Sequence, residues 1–204
     1  GVHALRQVAH LEVKTNIPTE IIRMKLNDEL PADINILGVE KAPNNFNARH
    51  DAVYRSYIYQ ISRRRSAFGK KYVWWIKDRL DFEKMNQAAG LFIGMKNFQS
   101  FTDDDPEEKS TRVKVEEIQM KESGDLILIR ITGSHFIWKM VRRVVGVLAE
   151  VGRGNLSMGK VEEYINTKSD EPARYTAPPS GLFLEQVYYK DDKKIPELAP
   201  LIKI

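Results

Sequence analysis

Arg142 stands in the run Phe136-Ile137-Trp138-Lys139-Met140-Val141-Arg142-Arg143-Val144-Val145-Gly146, whose apolar spacing predicts a helix from Phe136 to Val151. Ile137, Met140, Val141, Val144 and Leu148 would form its buried face, and Lys139, Arg143 and Glu150 its solvated one. Arg142 falls in a row with Trp138 and Val145 at the edge of the buried face, where a guanidinium is costly unless paired, so a carboxylate partner is expected. That partner could be any structural acid or an acid with chemistry to do. Tyr57 offers a second chemical group. It lies in a strand from Ala52 to Arg63, where Tyr57, Tyr59 and Ile61 alternate with Ser56, Ile58, Gln60 and Ser62. Such a tyrosine is either a core residue or a platform on which a base stacks, an interaction worth roughly 1–3 kcal/mol.

Other clusters carry less. His3 and His10 have no third ligand at metal-binding spacing and read as structural polar residues, so no metal is expected. Asp103-Asp104-Asp105 reads as a solvated acidic loop rather than a magnesium site. Arg63-Arg64-Arg65 and Lys70-Lys71 read either as a solvated charged loop or, in an RNA-acting protein, as phosphate contacts.

The elements that must position these groups alternate along the chain. Gln7–Val13 and Ile34–Lys41 are expected strands flanking a helix from Ile17 to Leu30. After the long strand at Ala52–Arg63, Asp81 caps a helix reaching about Ile93. Val113–Glu122 and Leu126–Ile131 form a hairpin around Ser123-Gly124-Asp125. The helix at Phe136–Val151 closes at Gly152 and Gly154, a short helix follows at Val161–Thr167, and Gly181–Tyr189 is the last strand. From Ala52 onward this order is a ferredoxin-like βαββαβ unit with an extra helix, and the segment before it resembles the latter part of a similar unit. The fold class is α+β.

Composition sets the outer limits. The 204 residues are 42% hydrophobic and 29% charged, enough for a real core and unlike a disordered chain. The absence of cysteine excludes disulfides and thiolate zinc sites and fits a reducing, cytoplasmic setting. No apolar run is long enough to span a bilayer, and residues Gly1–His10 lack the apolar stretch of a signal peptide. The net charge of +4 is mild, but basic clusters interleave with Tyr54, Tyr57, Tyr59, Phe68, Tyr72, Trp74 and Trp75, a mixture suited to RNA.

Ordered motifs along nearly the whole chain resemble the tRNA pseudouridine synthase A (TruA) family. Gly1-Val2-His3-Ala4, Gln7-Val8 and His10 match the tail that follows that family's Arg-Thr-Asp triplet. Phe46-Asn47-Ala48-Arg49 and Arg55-Ser56-Tyr57-Ile58-Tyr59 resemble its Phe-x-Ala-Arg and Arg/Lys-x-Tyr-x-Tyr segments. Gly94, Asn97-Phe98, Phe101 and Ser110-Thr111-Arg112 resemble the loop after them, the run Phe136–Gly146 the Met-Val-Arg helix, and Gly181-Leu182-Phe183-Leu184 the closing strand.

The resemblance implies two ferredoxin-like units sharing a mixed, mainly antiparallel sheet, with helices on one face and an RNA-binding cleft. Residues 1–46 would be the remainder of a truncated N-terminal unit and 47–204 the C-terminal catalytic unit. It implies isomerisation of uridine to pseudouridine in the anticodon arm of tRNA, without a cofactor, by a cytoplasmic homodimer. Tyr57 and Arg142 become the catalytic candidates, with Arg142 pairing the nucleophilic aspartate. Tyr57, His3, Arg49, Arg55 and Arg143 become the substrate-binding candidates. The aspartate itself is expected just before Gly1, with one residue between, outside this sequence, so the chain alone is expected to be inactive while the parent protein is an enzyme. The alternative is a non-catalytic RNA-binding module or paralogue. An aspartate two residues before Gly1 would favour the enzyme, and Asn or Ala there the binder.

Overall fold

The computed structural model describes residues 1–192 and 197–202. The chain divides into two units, Gly1–Gln7 with Ala52–Ile204, and Val8–Asp51. The first residues, expected with the smaller unit, group with the larger one.

In chain order the larger unit contains strand β1 (His3–Ala4), β2 (Tyr54–Ser62), β3 (Trp74–Trp75), helix α2 (Phe82–Gly90), β4 (Gly94–Asn97), β5 (Arg112–Ser123), β6 (Leu126–Gly133), α3 (Met140–Arg153), α4 (Met158–Asn166), α5 (Glu171–Arg174) and β7 (Leu182–Tyr188). They build one seven-stranded sheet in the order β1-β7-β2-β6-β5-β4, with β3 pairing β2. The β1–β7 and β2–β3 pairs are parallel and the rest antiparallel, the mixed α+β sheet expected of a pseudouridine synthase fold.

β6 is buried along nearly its whole length on both faces, one wholly apolar and the other apolar at Leu126 and Leu128 before it reaches Arg130 and Thr132. On one, Ile127, Ile129 and Ile131 join Tyr59 and Ile61 beneath Met85 and Ala88 of α2, Val144 and Leu148 of α3, and Val161 and Tyr164 of α4. On the other, Leu126 and Leu128 meet Ile58, Val73 and Leu198. The β5–β6 ladder closes at Ser123–Leu126 around Gly124, whose φ of 57° lies in the left-handed region that glycine adopts readily. Asp81 caps α2 as its sequence indicates, accepting the Lys84 N–H at 3.1 Å.

α3 begins at Met140, four residues later than its periodicity suggests, because Lys139 holds a left-handed φ of 62° that interrupts the helical path. Gly154 ends the helix with φ 79°, while Gly152, expected to share that role, lies inside the helix against Met85. α3 is buried on nearly all sides. At Gly146 it passes so close over the main chain of Tyr175 that a Cβ would sit 1.6 Å from the Tyr175 carbonyl oxygen.

In the smaller unit, α1 (Thr19–Glu29) forms as expected, but the flanking strands predicted at Gln7–Val13 and Ile34–Lys41 do not. A strand exists only through a ladder. Here the Asn27 side chain takes both main-chain groups of Ile36, accepting its N–H at 2.6 Å and donating to its carbonyl at 3.1 Å. His10 Nδ1 likewise accepts the Ala48 N–H at 3.3 Å. Side chains thus satisfy polar groups that strand neighbours would otherwise have taken.

Candidate active site

The site grows from the edge where α3, β2 and the segment before β7 meet. β2 alternation sends Tyr57, Tyr59 and Ile61 toward the helices. Tyr59 is fully buried and its hydroxyl donates to the Pro178 carbonyl at 2.7 Å. Arg142, half-buried in the first turn of α3, donates from Nε to the neighbouring Ala177 carbonyl at 2.6 Å. Ala177 N–H in turn donates to the Arg142 carbonyl at 3.0 Å, so helix and segment are bound in both directions.

Arg142 meets no carboxylate within ion-pair distance among the described residues. The partner expected from its half-buried position is replaced here by a main-chain carbonyl, which takes one edge of the guanidinium. The placement of Arg142 at the rim of the buried face agrees with the structure.

Tyr57 is half-buried two residues along β2, its ring edge-on to Phe136 at 5.1 Å between centroids. Burial pushes its phenol up, against a smaller downward pull from Arg55. Tyr59 is pushed up as well, by burial, with Arg142 opposing. Both hydroxyls therefore stay protonated at neutral pH and act as donors and stacking surfaces, not as bases.

Arg55 is half-buried, and its guanidinium holds the carbonyls of Ser134 at 2.8 Å and Ala52 at 3.3 Å. His135, beside this contact, is held below its ordinary value by burial and by Arg55 and Lys109, which leaves its imidazole neutral. His3 lies in β1, with Nε2 2.9 Å from the Lys71 carbonyl and its ring stacked on Phe183 at 4.8 Å. Arg49 is exposed and belongs to the smaller unit.

Arg143 is corrected. Its expected place was a solvated face, but only 4% of it is exposed. The acidic loop that reads as solvated folds across the start of α3. Arg143 Nη1 donates to the Thr102 carbonyl at 2.6 Å and Nη2 bonds the Asp103 carboxylate. Lys139 donates to the same carboxylate at 2.6 Å, and Asp104 accepts the Trp138 N–H at 3.0 Å. A helical wheel assumes one covered face, whereas this helix is also covered on the Arg143 side by the acidic loop.

The sequence favours Tyr57 over Tyr59 as a stacking platform, and Tyr59 is indeed fully buried, but the Ala177–Pro178 segment it holds was missed from sequence. The Pro178-Pro179 pair was the available signal, since consecutive prolines stiffen a segment that must present its carbonyls. Upstream, Gly1 abuts Pro179, with its Cβ position 3.0 Å from the proline ring, and Leu5 N–H continues the β1 pairing to Leu184 O at 2.8 Å. The start of the chain is therefore anchored beside the segment that Arg142 grips. A separate groove of about 960 Å³, lined by Tyr54, Arg130, Thr132 and Tyr188 among others, opens in the larger unit without including Tyr57 or Arg142. Among the described residues there is no metal-binding cluster, and no helix is long and apolar enough to cross a membrane.

A seven-stranded mixed sheet of this order, packed against α2, α3 and α4, is consistent with the pseudouridine synthase fold. A family model described as tRNA pseudouridine synthase matches residues 88–190, and the chain belongs to that family. It is 34% identical over 191 residues to tRNA pseudouridine synthase A 2 of Clostridium perfringens, covering 93% of this chain and 78% of that protein. It is 32% identical to tRNA pseudouridine synthase A of Staphylococcus aureus, covering all of this chain and 77% of the relative. The match to the enzyme of the same name from Thermoanaerobacter sp. is 35%, over 93% and 78%. A second family model, described as an uncharacterized protein conserved in bacteria, matches residues 1–134.

Proposed function

We propose that this chain carries the base-binding and arginine half of an enzyme that converts uridine to pseudouridine in the anticodon arm of tRNA. The observation that carries the reading is the bracing of Ala177–Pro178 by Arg142 and Tyr59 beside Gly1. The chemistry breaks the bond from ribose C1′ to uracil N1 and forms one from C1′ to C5. The C5 hydrogen leaves as a proton and N1 gains one, so no redox partner or cofactor is needed. A carboxylate is required near sugar and base, with a platform for the detached uracil.

In this reading the carboxylate is an aspartate just upstream of Gly1, carried to the outer edge of the Arg142 guanidinium by the β1 anchor. Arg142 keeps that carboxylate ionised, since a neighbouring cation favours the charged form. Tyr57 supplies the stacking face for a uridine taken out of its stack, and its protonated hydroxyl supplies a donor. His3, Arg49 and Arg55 remain the substrate-binding proposals, with Arg55 acting partly through the Ser134 carbonyl it holds. Arg143, being buried, would serve by fixing the acidic loop rather than by meeting RNA. The relatives' names support tRNA as substrate, and the family resemblance supports a homodimer working in the cytoplasm.

The test is release of tritium from tRNA labelled at uridine C5, using the full-length protein with its residues upstream of Gly1. Tyr57→Ala and Arg142→Ala should each lower the rate by about 100-fold or more. Full activity in either variant would count against the assignment. Modified uridines lying only outside the anticodon arm would remove that part of the reading, and sedimentation as a monomer the dimer.

A further inference from the structure

We propose that the exposed segment joining β2 to β3 grips the phosphate backbone of the RNA through Arg65, Lys70 and Lys71. This rests on the reading of the chain as tRNA-acting and adds which surface holds the substrate.

In the sequence the basic residues of this segment look alike, but the structure sorts them. Arg63 turns back to the β5–β6 hairpin, bonding Glu122 Oε1 at 2.5 Å and the Gly124 carbonyl at 2.8 Å. Arg64 does the same with Asp125 at 3.0 Å. Their charge is answered within the protein. Arg65, Lys70 and Lys71 are all exposed, and among the described residues none has a carboxylate within ion-pair distance. Arg65 instead lies over the exposed ring of Trp75, 5.6 Å from its centroid. A guanidinium stacked this way keeps its N–H edges outward, the geometry that meets phosphate oxygens.

The surface around these cations is aromatic as well. Phe68 is 97% exposed, and Tyr72 and Trp75 are open to solvent. An acidic protein partner would answer the charge alone, whereas unpaired cations among exposed rings suit a strand offering phosphates and bases together. The segment is also built rather than loose. Gly69 N–H donates to Ser66 Oγ at 3.2 Å, and Tyr72 N–H to the Gly69 carbonyl at 2.9 Å.

Its position ties it to the candidate site. The Lys71 carbonyl holds His3 of β1, and the Val73 carbonyl accepts the Ser180 hydroxyl at 3.1 Å. Ser180 follows Pro179, against which Gly1 lies, and Ala177 just before is held by Arg142. The segment that carries the three cations is therefore tied at its Lys71–Val73 end to β1 and to the Pro179–Ser180 turn beside the candidate site, near which the backbone flanking an extruded uridine would pass.

The experiment is the salt dependence of tRNA binding by the full-length protein, compared with R65A/K70A/K71A and with R63A/R64A. Each lost phosphate contact lowers the slope of log affinity against log salt by about 0.7–0.9. The triple variant should lose about 2 or more from that slope and bind at least about 10-fold more weakly at low salt. R63A/R64A should change the slope by less than one contact's worth, about 0.7. The single variants R65A and K70A, each removing one surface charge, keep the test open if the triple variant folds poorly. An unchanged slope in the triple variant, or an equal loss in R63A/R64A, would overturn the proposal. Loss of binding to an acidic protein with tRNA binding intact would also overturn it. A wild-type protein that fails to bind tRNA at all would instead sink the functional reading, and the proposal with it.

Discussion

Tyr59 and Arg142, on strand and helix, hold consecutive carbonyls of one segment, the Tyr59 hydroxyl at Pro178 and the Arg142 Nε at Ala177. The tyrosine contact is buried and neutral, while the arginine contact leaves the rest of a cation facing the rim. The two should therefore separate on mutation. Tyr59→Phe loses about 1 kcal/mol of stability, up to about 3 if the Pro178 carbonyl stays unsatisfied, with a modest effect on rate. Arg142→Lys keeps the charge but cannot hold Ala177 while offering a second edge, so activity should fall steeply with little change in melting. Thermal melts beside single-turnover rates distinguish the two, and equal losses of stability would contradict this division.

Gly146→Ala should be among the most damaging small substitutions in the chain. The added methyl meets main chain at Tyr175, not the end of a flexible side chain. Either α3 retreats from the sheet or the 175–177 segment moves off Arg142. The expected cost is about 3 kcal/mol or more, with insoluble or low-melting protein. A variant melting within a few degrees of wild type would show that the segment has room to move.

Arg130 and Glu185 form a buried two-pronged pair, Nε to Oε2 at 2.8 Å and Nη2 to Oε1 at 2.7 Å, with Gln119 accepting the third bond at 2.8 Å. Glu185→Ala strands the guanidinium and should cost about 3–5 kcal/mol in a denaturant titration. Replacing both, as in Arg130→Met with Glu185→Leu, should recover most of that loss. No recovery would mean that the charges specify this part of the sheet, not merely satisfy each other.

The clamp on α3 predicts an acid limb. Asp103 is held below its ordinary 3.8 chiefly by the hydrogen bond from Lys139, then by Arg143, and Asp104 chiefly by the Trp138 N–H, then by Lys109. A carboxyl depressed in the folded state stabilises above its unfolded value and loses that contribution as pH falls through the folded one. The contribution of these two carboxylates should thus be level above about pH 5 and decline below about 4, beneath a separate decline that begins near 6.5, where His135, kept neutral in the fold, gains its proton first in the unfolded chain. Asp103→Asn should be less stable than wild type at neutral pH and show a shallower decline in acid-titration melts.

What the sequence made legible follows from which forces are local. The β5–β6 hairpin and α2 with its Asp81 cap are written in short-range patterns, and they form close to where those patterns place them. Tyr57 and Arg142 were singled out because the motifs around them are distinctive. β1, β3 and β4 escaped notice because two to four residues carry no period, and only their neighbours make them strands. Arg143 was misplaced for the same reason. Its partners, Thr102 and Asp103, are remote in sequence, and nothing near Arg143 announces them.

β1 pairs with β7 at His3–Phe183 and Ala4–Leu184, partners about 180 residues apart in sequence. A two-residue ladder cannot by itself offset the closure of so long a loop, so β1 docks on a β7 already seated against β2, and such long-range pairing is among the slower steps in folding. The surroundings of Gly1 and Pro179 therefore mature late, after the rest of the sheet.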